Sequence, residues 1–531
     1  MARTKRVIAA ATVGILAASM AACSSDDGSG KGNGGNPSGG AGGGGTVILG
    51  TTDKVGSLDP AAAYDLPSWT IIRNTFQKLY RFPEGSTTAV PDAAQKCDFP
   101  DPKTYSCTLK PGQTFSDGTP LTAKDVKFSF ERMLKINDPN GPAPLLGSMD
   151  TVDAPDDNTV VFHLKNADVT FASVVASEVG AIVPSSGKYP LDKLADNSTL
   201  LGSGAYKLAK YTPGQQAVFE LNDKYKGDIK PANGKFLIQY FTESSALKQA
   251  IENGTVDVAV TGLSPTDITD LRGKSSQGIK VIDGIGSTIR FMTFNVKSAP
   301  VDNKAVRQAI AQTVDRESMI KQAYNGTVDP LYSLVANGFA GHADAFKDKY
   351  GAPSKDKAKA ILDAAGVKTP VDLTLWYNPG HYGATTADEY TEIKRQLDAS
   401  GLFKVNLQTT EWEAYKKSFA AGEYAAWGAG WQPDFPDSDN YIEPFLRPDG
   451  TFHVNYDNPA AKALIEKERT SADPAARNAA FAEAQKIAAD DVPYIPLWQG
   501  KQVAVTRPGV EGVDKTLDVS VLVSFWVISK K

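Results

Sequence analysis

The chain has 531 residues, of which 41% are hydrophobic and 22% charged, and its 56 basic residues against 61 acidic ones give a formal net charge of −5. An acidic chain without basic clusters has no electrostatic footprint for nucleic acid, which excludes that class of partner. Its length is more than one hydrophobic core usually holds, so two or more lobes are expected.

At the N-terminus, Arg3, Lys5 and Arg6 precede an apolar run from Val7 to Ala18 and the small-residue stretch Ser19-Met20-Ala21-Ala22-Cys23. This pattern reads as a secretory signal over residues 1–22, not as a fold element. The run is shorter than the ~20 apolar residues that span a bilayer, and no later segment approaches that length. Ala21-Ala22-Cys23 resembles the bacterial lipobox, which implies a diacylglyceryl group on the Cys23 thiol and cleavage just before it, although Met20 stands where that pattern usually has Leu. The alternative is an ordinary signal peptide in which Cys23 is incidental. Residues 23–45 are nearly all Gly, Ser and Asn, with nothing to bury, and read as a disordered tether. The stretch from Ser24 to Gly45 would reach about 26 Å, enough to hold a domain off a membrane surface. Within it, Gly30-Lys31-Gly32-Asn33-Gly34-Gly35 matches a dinucleotide fingerprint by letter, but no strand precedes it and no helix follows, so it is low complexity.

Thr46-Val47-Ile48-Leu49-Gly50 reads as a first strand, Ser57-Leu58-Asp59-Pro60 as a turn, and the segment near Trp69 to Leu79 as an amphipathic helix. Strand, loop and helix in that order begin an α/β lobe. Cys97 and Cys107 flank a Pro-Asp-Pro-Lys turn between two short strands. In an oxidising compartment such a pair reads as a disulfide, whereas a metal site is disfavoured because the four histidines are scattered and none lies nearby. Thr122 then caps a helix in which Val126, Phe130, Met133 and Leu134 share one face.

Apolar residues alternate between Thr159 and Leu164, and Ala205 to Leu208 and Ala217 to Leu221 read as further strands. Arg290-Phe291-Met292-Thr293-Phe294-Asn295 is another, after which Asp302 caps a helix carrying Val306 and Ile310, and Asp315 opens one that closes near Gly326. Ser354 starts a helix stopped at Gly366, Val371 to Trp376 alternates as a strand, a helix through Ile393 and Leu397 ends at Gly401, and Val405 and Leu407 open a strand. Such alternation predicts parallel sheet flanked by helices. Asp473-Pro474 begins a helix through Phe481 and Ile487, and Val492 to Trp498 resumes extended structure.

Ser57-Leu58-Asp59-Pro60, Cys107-Thr108-Leu109-Lys110-Pro111-Gly112 with Phe115-Ser116-Asp117-Gly118-Thr119-Pro120-Leu121-Thr122-Ala123-Lys124-Asp125-Val126, Gly202-Ser203-Gly204-Ala205-Tyr206, and Val306-Arg307-Gln308-Ala309-Ile310 follow one another along the chain. Together they resemble the peptide/nickel/opine-type family of solute-binding proteins that serve ABC importers. The resemblance covers nearly everything after the tether. It implies an α/β fold, a two-lobe periplasmic-binding-protein-like clamp with an extra subdomain inserted in lobe I. Lobe I would comprise 46–64, 197–288 and 493–531, the inserted subdomain 65–196, and lobe III 289–492. The chain would cross between lobes near Gly286 and near Pro493, letting them rotate about a hinge. Of the landmark residues, Asp117-Gly118 reads as a turn, Thr122 as a cap and Arg307 as an ion-pairing residue at the base of a helix.

The same resemblance places the ligand wall at Glu411-Trp412 and at Gly430-Trp431-Gln432-Pro433-Asp434, followed by Asp437-Ser438-Asp439-Asn440. In peptide-binding members the aspartate at the position of Asp434 receives the α-ammonium, and aromatic groups at Trp412 and Trp431 shape side-chain pockets. From the other side it implies Tyr64 to Leu66, Gly262-Leu263, Phe291, Thr293 and Trp498 along the cleft. The structural alternative is that Asp434 caps a loop and the tryptophans are core. One departure stands out: positions where oligopeptide binders place arginines for the carboxyl end hold Phe419 and Gly428, which leaves that end uncharged, blocked, or anchored by a residue such as Arg290 or Lys501. Relatives also bind oligosaccharides or metal chelates, and Trp412, Trp427, Trp431 and Trp498 would suit stacking on sugars.

The resemblance implies a monomer without cofactor or bound metal, acting on the outer face of the cytoplasmic membrane with permease and ATPase subunits as partners, or as a peptide sensor. A rival class is a serine penicillin-binding-type enzyme, suggested by Ser318-Met319-Ile320-Lys321 and Ser438-Asp439-Asn440. The third signature of that class, Lys-Thr-Gly, does not occur, and Ser318 falls within a helix instead of opening one.

Overall fold

The computed structural model describes residues 45–196 and 200–531. The expected signal (1–22), Cys23 and all of the 23–45 tether but its last residue lie outside the described residues, as do 197–199 of the expected lobe I. No described helix is long and apolar enough to cross a membrane.

Eleven of the described strands form one mixed sheet. At its centre Lys280–Phe294 and Tyr494–Thr506 pair antiparallel. On one side the sheet continues through Ala426–Trp431, Val371–Tyr377 and Phe403–Thr409; on the other it continues through Val258–Ala259, Val47–Thr51, Lys235–Tyr240, Gln216–Leu221 and Tyr206–Thr212. The expected parallel pairing is present only in pieces, between 371–377 and its two neighbours and between 47–51 and its two neighbours. The spine itself is antiparallel.

That spine is broken at one place. Lys280 to Ile285 pair with Thr506 to Lys501, the register then shifts, and Ile289 to Thr293 pair with Gln499 to Tyr494. Val47, Leu49, Phe219, Phe236 and Phe525 form a core on one side of the break. Clusters around Met292, Ile310 and Leu373 and around Phe291, Trp427 and Phe481 lie on the other. The second crossing is therefore at Gln499 to Lys501, further along the chain than Pro493, because Tyr494, Ile495, Leu497 and Trp498 pack within these last two clusters. Gly286 lies so close to the other strand that a Cβ there would sit 2.3 Å from the Gly500 carbonyl oxygen. The break is braced from one side: the Gln499 amide donates to the Gly286 and Asn337 carbonyls, the Tyr441 hydroxyl donates to the Ser287 carbonyl, and the Gln432 amide donates to Ser287 Oγ at 2.8 Å.

A second sheet of four strands, Ala94–Asp101, Thr104–Leu109, Thr159–Leu164 and Met149–Asp153, is covered by the helix Ala123–Ile136. Cys97 and Cys107 face one another across its first hairpin and form a disulfide. Thr122 begins the covering helix through a reciprocal box with Asp125, and Val126, Phe130 and Met133 bury against Phe162 and its neighbours. Leu134 does not share that face and is 37% exposed, since it stands one residue round the helix from Met133.

The turn at Asp59 is tied to this helix by a buried ion pair. Arg132 donates through both terminal nitrogens to the two Asp59 carboxylate oxygens at 2.7 and 2.6 Å, and the Ala61 and Ala195 amides complete the carboxylate's partners. Arg307 behaves differently from the ion pair expected of it. Its guanidinium donates to the carbonyls of Val301, Asp302, Asp491 and Val492, while the Asp491 carboxylate is taken by Lys304, Tyr456 and Asn458. The helix Pro474–Asp491 ends there, and a cation is favoured at the unpaired carbonyls of a helix C-terminus.

Removing one member of a fully buried pair leaves the other charge without compensation. Asp59→Ala should therefore cost about 3 to 5 kcal/mol in a urea titration, whereas Leu134→Ala, at an exposed site, should change stability by only about 0.5 kcal/mol. Equal effects of the two substitutions would contradict the ion pair's role.

Candidate functional site

Asp434 lies in the loop that follows Ala426–Trp431, on the side of the break that holds Phe291 and Tyr441. Its backbone N–H donates to Asn440 Oδ1 at 2.9 Å, and the Asn440 amide reaches its carboxylate at 3.4 Å. Asn440 is itself fixed by the helix Asp439–Leu446, and its carbonyl accepts the Trp431 indole N–H at 2.7 Å. From the other body Tyr64, 41% exposed, donates its hydroxyl to Asp434 Oδ1 at 2.6 Å. Burial pushes the Asp434 carboxyl up to about 6, against the lowering effect of the Tyr64 and Asn440 hydrogen bonds. Among the described residues no cation lies within ion-pair distance of it.

The loop also docks against the part built on the four-stranded sheet. Phe435 joins the core that contains Trp69 and Phe171. Arg469 bridges Asp168 at 2.7 Å and Asp439 at 3.1 Å, and its carbonyl accepts the Val169 N–H at 2.9 Å. Arg477 in turn holds Asp437 and Glu468. A small cavity of about 20 Å³ beside the carboxylate is lined by Leu66, Trp69, Pro433, Asp434 and Leu522 among others.

Of the aromatic residues expected in the ligand wall, Trp412 is half-buried and opens the helix Trp412–Ala420, its ring stacked on His381 at 3.7 Å. Trp431 is half-buried, edge-on to Phe445 and Phe452. Gly430 lies opposite Arg290 in the ladder, and a Cβ on it would stand 1.7 Å from Arg290 Nη1. Gly262 is exposed with φ +91°, and a Cβ there would meet Thr52 Oγ1 at 1.9 Å, so glycine is required; Leu263 packs at the edge of the cluster around Leu247.

Phe291 and Thr293 do not face a cleft. Both are fully buried, Phe291 among Phe445, Phe452 and Tyr494. The strand that carries them is central, and its opposite face, Met292 and Phe294, is buried too. Trp498 is 7% exposed, with Tyr324 beside it at 4.8 Å. Trp427 is also core, parallel to Phe419, which removes it from any stacking platform. Lys501 is engaged by Asp329 at 3.0 Å. In the two enzyme-like motifs, Ser318 Oγ approaches Glu392 at 3.3 Å, and Ser438 donates to the Ala340 carbonyl. Sequence reasoning missed Asn440 as the residue that orients Asp434, and the Arg469 bridge; the Asp437-Ser438-Asp439-Asn440 run was the visible signal of both.

Two bodies that share one broken ladder, with a desolvated carboxylate at their junction, define a two-lobe solute-binding clamp. The chain belongs to the bacterial extracellular solute-binding proteins of family 5, whose middle-region model matches residues 88–453. It is 27% identical over 481 residues to the probable D,D-dipeptide-binding periplasmic protein DdpA of Escherichia coli K12, covering 88% of this chain and 90% of that one. To the dipeptide-binding protein DppE of Bacillus subtilis 168 it is 24% identical over 488 residues, 86% and 87% of the two chains. The structure of HbpA2 from Haemophilus parasuis shares the fold at a TM-score of 0.79 with 20% identity, over 92% of this chain and 100% of the other.

A carboxyl raised from its ordinary 3.8 to about 6 binds a proton more tightly in the folded than in the unfolded chain. Its contribution to stability is full below about pH 4 and is lost as pH rises through 6. Asp434→Asn should thus be more stable than the parent by roughly 3 kcal/mol above pH 7 and lose that advantage near pH 4. Thermal melts of ligand-free protein at the two pH values read the difference, and an advantage that did not change with pH would exclude Asp434 as the titrating group.

Proposed function

We propose that this protein is the extracytoplasmic solute-binding component of an ABC importer, and that its clamp closes on a short peptide whose α-ammonium is held by Asp434. The observation that carries this reading is a carboxylate at the junction of the lobes that accepts only from a hydroxyl and an amide, with burial holding it up at about 6. An ammonium supplies the missing charge. Its charge-assisted hydrogen bond in a dry site is about twice as strong as a neutral one. Dipeptide binding in the names of the relatives DdpA and DppE supports the same chemistry.

Tyr64 from one lobe meets Asp434 of the other, so a ligand lying between them makes contacts in the closed form that the open form lacks. That differential affinity is what shifts the population toward closure. A single chain carries both walls, so the working unit is a monomer, and the membrane permease receives the cargo from the closed form. Cys23 is the lipid attachment point, with the residues after it as the tether. Cys23→Ala should release the protein from the membrane fraction into the medium, and a variant that stayed membrane-bound would refute anchoring through that thiol.

The ligand is recovered by mass spectrometry of whatever co-purifies with the protein, and its affinity is then measured by calorimetry. Asp434→Asn should weaken a free-amine peptide by roughly 1.5 to 3 kcal/mol. Its N-acetylated counterpart should bind parent and variant alike. Affinity of the parent for the free amine should also fall about tenfold per pH unit below 6, as the carboxylate takes up a proton. Unchanged affinity in the variant would rule out Asp434 as the anchor.

A further inference from the structure

Arg469 lies near the end of the helix Pro459–Thr470, which packs Ala461 and Ile465 into the core around Phe291 and Trp427. From there it reaches across to the other body. Its Nη2 donates to Asp168 Oδ2 at 2.7 Å, its Nη1 donates to Asp439 Oδ2 at 3.1 Å, and its carbonyl accepts the Val169 N–H at 2.9 Å. Asp168 is in the part built on the four-stranded sheet, and that part is fastened to the core around Val47 and Phe236. The helix Leu66–Thr75 buries Ile72 in the first and Ile71 in the second. Asn74 on the same helix donates to the Val523 carbonyl and accepts the Phe525 N–H, and the Thr75 carbonyl accepts the Gly204 N–H. Opening about the break near Gly286 therefore has to part Asp168 from Arg469, while Asp439 travels with the arginine. Among the described residues one other ion pair joins the two bodies, Lys501 with Asp329, and it sits at the break, where rotation changes a distance least.

We infer that Arg469 and Asp168 form the latch of the clamp, an ion pair between the lobes that sets the balance of closed and open molecules and with it the time a solute stays held. This inference rests on the two-lobe clamp and not on what the clamp holds. A contact made in one form and lost in the other shifts the population by its own strength, and a charge-assisted hydrogen bond is among the stronger ones. The pair is built to part and re-form. Asp168 Oδ1 accepts from the Thr170 N–H at 3.0 Å and from its hydroxyl at 2.6 Å, and Arg469 keeps Asp439, so neither charge is stranded when the bridge opens. Asp59 and Arg132, which face one another through both oxygens and both terminal nitrogens inside one body, have no such release. The partner that stays with Arg469 also touches the site, because Asp439 begins the helix whose next residue, Asn440, orients Asp434.

The test measures the separation of the lobes in ligand-free protein. Spin labels on cysteines introduced at two exposed positions, Lys135→Cys on one body and Ala463→Cys on the other, report it as a distance distribution by pulsed electron paramagnetic resonance. In Asp168→Asn, which keeps the shape of the side chain and an acceptor for Thr170, the ratio of open to closed molecules should rise at least about fivefold. Arg469→Gln should have a similar effect, and the double variant should open no further than either single one, because both remove the same bridge. Packing damage at two sites would add instead. Arg469→Lys, which keeps the charge and loses the fork, takes the place of Arg469→Gln in this cycle should that variant not fold. An Asp168→Asn distribution identical to that of the parent overturns the latch, as do additive effects in the double variant. Either result leaves the peptide reading of Asp434 untouched, since no ligand enters the measurement.

Discussion

The molecule depends on one interrupted ladder. Lys280–Phe294 and Tyr494–Thr506 hold the two lobes in a single sheet, yet the register breaks after Ile285, where Gly286 lies too close to the Gly500 carbonyl for any side chain. A continuous ladder would make one stiff body of the two cores. Two unlinked cores would drift apart. A paired strand with a local break is the geometry of a hinge, since most of each core lies on its own side of the break.

Side chains from one lobe brace that break, and two of them belong to the Asp434 loop or the helix that follows it. Gln432 and Tyr441 both reach Ser287, and Asp434 and Asn440 are their near neighbours in sequence. The loop that would feel a ligand is therefore the loop that grips the axis. The same loop also meets the four-stranded-sheet part through Phe435, and Arg469 bridges Asp439 to Asp168 beside it. Chemistry at the carboxylate and the relative position of the lobes are connected through one short stretch of chain.

Much of this was legible before any coordinates. Local signals worked where the cause is local: Thr122 with Asp125, the Ser354 cap, the glycine stops at 366 and 401 and the paired cysteines all depend on neighbours within a few residues. The family resemblance also pointed to Asp434, which lies in a loop with Tyr64 and Asn440 on its carboxylate. The failures have a shared origin in distance along the chain. The segment 290–295 reads as a strand, but not as one buried on both faces, so the family resemblance placed Phe291 and Thr293 in the cleft while the fold buries them. The partner of Asp59 is Arg132, 73 residues away, and nothing in either segment announces the other. Arg290 reads, with Lys501, as a basic residue near the cleft, but its own segment says nothing of the rings of Tyr382 and Trp498 around it.

Arg307 carries a lesson about which positions are free to vary. Its five hydrogen bonds end on main-chain oxygens at 301, 302, 491 and 492, and such oxygens exist whatever the side chain. Those four sites can therefore drift over evolutionary time without disturbing the clasp, provided the chain path is kept, while the arginine itself has no substitute. A homologue could differ at every one of its partners and still be fastened in the same way.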